Sequence, residues 1–275
     1  MASSSSSSPS STSVPPPMKR EKPRNWAEMP PELLSSILLR LSVTEILDKA
    51  QRVCRSWRRV CKDPLMWRKI DMRNSETMDY DFEAICRHAV DRSQGGLLEI
   101  RIEGFGSDSL LTYIADSNLR SLALRPIRLV QAVAKLPLLE ELEVSQSWRK
   151  LNLKAIGHSC PLLKTLKLNC LVYRRSARNL DIDALAIAES IPKLRHLQLF
   201  GNCLTDVGVN VILDKCPHLE DLDLRKCFNV NFVGNLEKRC SERIKSLRRP
   251  DDSIADPDDA VDILYSGGTD KEDSD

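Results

Sequence analysis

The chain has 275 residues, of which 41% are hydrophobic and 29% charged, and its formal net charge is +2. That length holds one large or two small globular domains, and so small a net charge argues against a globally basic nucleic-acid binder. Nine cysteines, an odd number set in apolar patterns, favour reduced thiols over a secreted disulfide framework, and no apolar run approaches the roughly 18 residues a membrane-spanning helix needs.

Charge is unevenly distributed along the chain. Met18 to Ile70 carries 13 Lys/Arg against 6 Asp/Glu, whereas Pro250 to Asp275 carries 10 Asp/Glu against Lys271 alone. Residues 1–25 form a Ser/Pro-rich leader. Pro15-Pro16-Pro17 opposes a helix and no arginine precedes Arg20, so a disordered segment is expected there rather than a transit peptide. Lys19-Arg20-Glu21-Lys22-Pro23-Arg24 has some likeness to a nuclear-localisation tract, although a solvated basic linker explains it as well. Residues 250–275 are expected to be an acidic disordered tail whose apolar exception is Val261, Ile263, Leu264 and Tyr265.

Residues 26–70 read as a small helical module. Pro30-Pro31 suits a helix start, where a proline loses no hydrogen bond. Leu33, Leu34, Ile37, Leu38 and Leu41 then recur at helical spacing. Ser42-Val43-Thr44-Glu45 has the form of a capping box. The following stretch predicts a helix that aligns Ile46, Ala50, Val53, Trp57 and Val60 inward, with Arg52, Arg55, Arg58, Arg59 and Lys62 on the other face. Asp63-Pro64 ends it, and Leu65, Trp67 and Ile70 supply another apolar anchor. A module this small buries too little surface to be very stable alone.

The order Met29-Pro30-Pro31-Glu32-Leu33-Leu34, Ile37-Leu38, Val53-Cys54-Arg55-Ser56-Trp57 and Asp63-Pro64-Leu65-Met66-Trp67 resembles the F-box motif, with Met29 where the family usually has leucine. The resemblance implies docking onto a Skp-type adaptor, and through it onto a cullin scaffold carrying a RING subunit. It assigns Pro30, Glu32, Leu33, Ile37, Leu38 and Leu41 to the adaptor interface. Val53, Trp57 and Trp67 are assigned to packing within the module.

Residues 71–95 read as a helical linker, with a helix over 81–90. From residue 96 to 249 the chain is periodic. Six segments beginning at Leu97, Leu119, Leu139, Leu163, Leu194 and Leu219 place apolar residues at positions 1, 4 and 6. Pro137, Pro161, Pro192 and Pro217 stand two residues before four of them, ending a helix and turning the chain into a strand. Strand then helix at about 24-residue spacing is the leucine-rich-repeat pattern. Phe228 to Leu247 is expected to be an incomplete last repeat that closes the open end. A doubly wound α/β sheet would explain neither the fixed triplet nor the prolines.

The whole is similar to the F-box/leucine-rich-repeat proteins, particularly the short plant ones. The expected fold is therefore α+β with repeats: a helical F-box followed by a short right-handed α/β solenoid in a horseshoe arc. What the resemblance implies is a non-catalytic substrate receptor of a ubiquitin ligase, in the nucleus and/or cytoplasm, capturing a target through the repeats. Two other readings are a scaffold that binds the adaptor without delivering a substrate, and a nucleic-acid-associated regulator using Arg52, Arg55, Arg58 and Arg59.

No phosphate-binding glycine loop, cofactor motif or catalytic constellation stands out. His158-Ser159-Cys160 and Cys216-Pro217-His218 invite a metal or thiol reading, but Cys160 and Cys216 share the repeat register of Leu136 and Ile191 and read as core. No metal, membrane or nucleic-acid partner is expected. The candidate target-binding residues are Lys167 and His196 on the outward strand positions, Phe200 at their edge, and Arg174, Arg175 and Arg178 in a basic insertion.

Overall fold

The structure is a computed structural model that describes residues 26–73, 80–125, 131–145, 151–170 and 181–254. The Ser/Pro-rich leader, the tail beyond Ile254 and the insertion with Arg174, Arg175 and Arg178 lie outside the described residues.

Helix α1, Pro31–Leu38, opens with a proline in its first turn. Its apolar stripe is broader than one packing face. Leu34 and Leu38 are fully buried, whereas Leu33 is 58% exposed, Leu41 36% exposed and Ile37 half-buried. Leu38 is thus a core residue of this module, which corrects the place on the adaptor interface that the resemblance gave it. At i and i+4, Leu34 and Leu38 occupy the inward half of the stripe, and Leu33 with Ile37 the outward half.

The capping box forms as expected. Ser42 Oγ accepts the Glu45 N–H, and Glu45 Oε2 accepts the Ser42 N–H at 3.1 Å, opening α2, Val43–Glu45. The expected long helix does not follow. A π turn over Ile46–Ala50 leads into α3, Gln51–Val53, and Cys54 then takes an extended conformation (φ −158°, ψ 177°) before α4, Arg55–Cys61. The wider turn and the break rotate the side chains out of the α-helical register. Val53, expected inside, is therefore 59% exposed. Trp67 is 2% exposed and donates its Nε1–H to the Cys61 carbonyl at 2.9 Å, while Trp57 is half-buried against the core.

Eight parallel strands follow in one sheet, adjacent in chain order: β1 Lys69–Met72, β2 Glu99–Glu103, β3 Ser121–Arg125, β4 Glu141–Ser145, β5 Thr165–Asn169, β6 His196–Gln198, β7 Asp221–Asp223 and β8 Ser246–Arg248. Strictly sequential order excludes the doubly wound alternative, whose strand order reverses. The connections carry α5 Phe82–Arg92, α6 Asp108–Ile114, a 3-10 turn Gln131–Lys135, α7 Leu153–Ser159, α8 Ile182–Ser190, α9 Asp206–Lys215 and α10 Asn235–Arg243. Parallel pairing requires such crossovers, because each strand must re-enter from the same end.

Positions 1, 4 and 6 of the six segments are all at most 7% exposed and form the core between sheet and helices. Each leucine contributes roughly 1.5–3 kcal/mol on burial. The prolines act as expected: the N–H groups of Leu139, Leu163, Leu194 and Leu219 close turns onto the carbonyls of Leu136, Cys160, Ile191 and Cys216, residues at most 3% exposed.

Sequence periodicity missed two strands. Trp67, Ile70 and Met72 hold positions 1, 4 and 6 of a first repeat unit, because Ile70 pairs with Ile100 and Met72 with Ile102. The end of the helical module is therefore the start of the sheet. At the other end Leu247 pairs with Leu222, giving Ile244, Leu247 and Arg249 the same register. Arg249 at the sixth position lies over the Phe232 ring and pairs with Glu237 of α10, so the last unit presents charge where its predecessors present an apolar side chain. A charged edge strand of this kind discourages further pairing.

Candidate functional site: two exposed faces

The first face belongs to residues 26–65. Trp26, Leu33, Leu39, Leu41, Val53 and Leu65 are each at least 36% exposed, six of the fifteen exposed large apolar residues among the described residues. Six in about forty residues is a higher density than the other described residues show. Pro30 and Glu32 are exposed beside Leu33. On α3 and α4 the basic residues point to solvent: Arg52 of α3 pairs with Asp48 at 2.9 Å, Arg58 of α4 donates to the Gln51 carbonyl at 3.1 Å, and Arg55, Arg59 and the α4-capping Lys62 are exposed.

The second face is the open side of the sheet, lined by strand positions 3 and 5. Lys69 and Arg101 both pair with Glu99, at 2.8 and 3.1 Å. Ser121 Oγ donates to Glu141 Oε2 at 3.1 Å, and His196 Nδ1 donates to Asp221. Asp223 is nearly buried because its carboxylate holds the fully buried Arg225 guanidinium through Nε and Nη2, the latter at 2.6 Å. Asp221 and Asp223, two residues apart on β7, are therefore both engaged carboxylates with different partners.

Along the ends of the middle strands runs a polar network that the repeat pattern did not reveal. Arg125, 5% exposed, donates to Glu143 Oε1 at 3.4 Å, and Ser145 Oγ donates to the same oxygen at 3.5 Å. Asn169 Nδ2 donates to Ser145 Oγ at 3.0 Å, and Gln198 Nε2 donates to Asn169 Oδ1 at 2.7 Å. Arg125, Ser145 and Asn169 all hold position 7, one step beyond the apolar triplet. A row of polar residues there was the available signal.

Phe200 shares that position and is fully buried beneath the Arg225 guanidinium, 5.8 Å from its ring centre. It is a core residue, which corrects its assignment to the target-binding edge. Lys167 and His196 do stand together on the open face. With Thr165, Gln198, Asp221 and Arg248 they line a shallow groove of about 360 Å³.

Cys160 and Cys216 sit in the core, where burial pushes each thiol up to about 11. A thiol held protonated in this way is a packing group rather than a nucleophile or metal ligand. Among the described residues no three His, Cys, Asp or Glu side chains come together as a metal site.

Residues 26–73 match the F-box-like family model. Over 255 residues the chain is 59% identical to F-box/LRR-repeat protein 21 of Arabidopsis thaliana, covering 85% of this chain and 84% of that protein. It is 58% identical over 248 residues to F-box protein SKIP19 of the same plant, covering 85% of this chain and 80% of that one. The more distant F-box protein SKIP1, also of Arabidopsis thaliana, is 28% identical over 267 residues, which is 82% of this chain and 87% of that protein. A helical F-box leading into a repeating parallel α/β sheet defines an F-box protein of the repeat-bearing class. The chain belongs to the F-box/LRR-repeat family. Proteins of this family generally serve as non-catalytic adaptor subunits.

Proposed function

We propose that this chain is the substrate-recognition subunit of a Skp-cullin-F-box ubiquitin ligase, binding the adaptor through residues 26–70 and a target protein through the open face of the repeats. The observation that carries the reading is the division of α1. Leu34 and Leu38 hold the helix to the module, and Leu33 with Ile37 and Leu41 leaves an apolar stripe toward solvent, flanked by Pro30 and Glu32. Apolar anchors in a polar rim are what a specific protein interface needs. The basic residues of α4 would steer an acidic partner to it.

In this reading the repeats form a short arc whose open face is the docking surface. The leader and tail lie outside both binding modules, and the protein works in the nucleus or cytoplasm, where its ubiquitin-carrying partners are. Catalysis belongs to the other subunits. The receptor contributes proximity, converting an encounter between target and charged conjugating enzyme into a near-intramolecular step.

The test is affinity purification of the full chain and of Leu33→Asp from cells in which degradation is blocked. Leu33 lies outside the core, so the substitution spares folding. A target retained by both forms, but ubiquitinated only with the unsubstituted chain, is the expected result. Equal ubiquitination with both would remove the adaptor from the account.

A further inference from the structure

Lys167 is the cation of the open face whose surroundings leave it uncommitted. Its neighbours on the same row are Glu143 on β4 and the residue paired with it on β6, Gln198. Glu143 is occupied by Arg125 and Ser145, and the Gln198 amide N–H by Asn169. Among the described residues Lys167 has no ion pair, whereas Lys69 and Arg101 on the same face share Glu99. The carboxylates bordering the groove are engaged as well: Asp221 by His196, Asp223 by Arg225, and Glu141 by the Ser121 hydroxyl. The polar network thus holds Gln198 in the groove wall and engages Glu143, the carboxylate directly across the strand pair from Lys167.

We infer that this groove takes an acidic side chain of a target protein, with Lys167 as the residue that selects it. This deepens the receptor reading above and rests on it. The half-exposed ammonium carries the charge, and the His196 imidazole and Thr165 hydroxyl stand on the adjacent row, where Thr165 pairs with His196 across β5 and β6. Ammonium–carboxylate hydrogen bonds are about twice as strong as neutral ones, and a cation held without a partner has no internal bond to break on binding. A basic ligand meets carboxylates that already have donors and an ammonium that repels it.

The experiment uses the full chain and three fluorescein-labelled ten-residue probes: alternating Glu/Ser, alternating Lys/Ser, and a Gly/Ser control, followed by fluorescence anisotropy at two salt concentrations. The acidic probe should bind, weaken with salt, and lose affinity about tenfold in both Lys167→Gln and Lys167→Glu, the equivalent of one charge-assisted bond. Thermal melting confirms that both variants fold. Arg55→Gln with Arg59→Gln and Lys62→Gln should leave probe affinity unchanged, because those cations belong to the F-box face. Acidic-probe binding unaffected at Lys167, binding lost with the α4 substitutions instead, or preference for the basic probe overturns the inference. So does binding that appears only after removal of residues 255–275, which would make the chain's own acidic segment the occupant. Adaptor binding by Lys167→Glu, measured in parallel, should match that of the unsubstituted chain. Its loss in Leu33→Asp concerns the receptor reading alone.

Discussion

The carbonyl oxygen of Arg68 accepts the N–H of Leu98 at 2.8 Å, and this single bond begins the ladder that runs through the whole sheet. Arg68 follows directly on Trp67, the last tryptophan of the F-box. The same bond recurs from Arg120 to Leu98, Glu140 to Arg120, Lys164 to Glu140, Arg195 to Lys164, Glu220 to Arg195 and Lys245 to Glu220. F-box and repeats therefore share a strand, a core residue and a hydrogen-bond register. They are not two bodies on a linker.

That continuity predicts a shared fate. Trp67→Ala removes position 1 of the first unit along with the bond to Cys61, at a cost of roughly 3–5 kcal/mol. Urea unfolding followed by far-ultraviolet dichroism should show one transition moved to lower denaturant. Two separated transitions, with the repeats unaffected, would mean the modules are independent.

Phe200→Ala tests the corrected role of a residue that sequence placed on the binding edge. Buried under Arg225, it should cost stability by roughly 3–5 kcal/mol and leave target capture unchanged in the fraction that folds. Binding lost at full stability would return Phe200 to the surface.

This residue also shows where sequence was sufficient and where it was not. The triplet of Leu163, Leu166 and Leu168 was readable because burial on one face imposes a fixed spacing, repeated until chance is excluded. Trp67, Ile70 and Met72 escaped because α4 and Asp63-Pro64 before them belong to the F-box pattern rather than to a preceding repeat, and Arg249 broke the last triplet. Spacing showed that α1 has a wide apolar stripe but not that Leu38 faces in and Leu33 out. Nor did it show the π turn at Ile46–Ala50 that swings Val53 to the surface. Those outcomes depend on what packs opposite, which no local pattern encodes.

Helices α7 and α8 meet at Gly157, where an added Cβ would stand 2.6 Å from the Ser190 carbonyl oxygen. Helix propensity alone favours alanine by about 1 kcal/mol, but overpacking against backbone costs about 1–3 kcal/mol. Gly157→Ala should therefore lower the melting temperature by calorimetry. An increase would mean the two helices separate at little cost.

Acid should loosen the sheet through its outer ion-pair row. Glu140 bridges Lys164 at 2.8 Å and Arg120 at 3.0 Å, and Glu220 bridges Lys245 at 2.7 Å and Arg195 at 3.0 Å. The hydrogen bond from Lys164 foremost holds Glu140 below its ordinary value of 4.5, and that from Lys245 does the same for Glu220. A lowered carboxyl contributes stability that is complete above its unfolded value and disappears as pH falls through the folded one. Both pairs are exposed, so the effect is small and screened by salt. Melting temperature between about pH 6 and pH 3 should fall less steeply in Glu140→Gln with Glu220→Gln than in the unsubstituted chain. Parallel curves would show that the row is neutral to stability.

The central claim is that the outward half of α1 is the adaptor contact. Titration calorimetry of a purified Skp-type adaptor against the full chain, Leu33→Asp, and Leu33→Asp with Ile37→Asp measures it directly. A buried unpaired carboxylate costs several kcal/mol. The single substitution should weaken binding by more than about tenfold and the double by more than about a hundredfold, with hydrogen-exchange protection of the repeat strands unchanged. Adaptor affinity equal to that of the unsubstituted chain, in a double variant that retains this protection, would contradict the account.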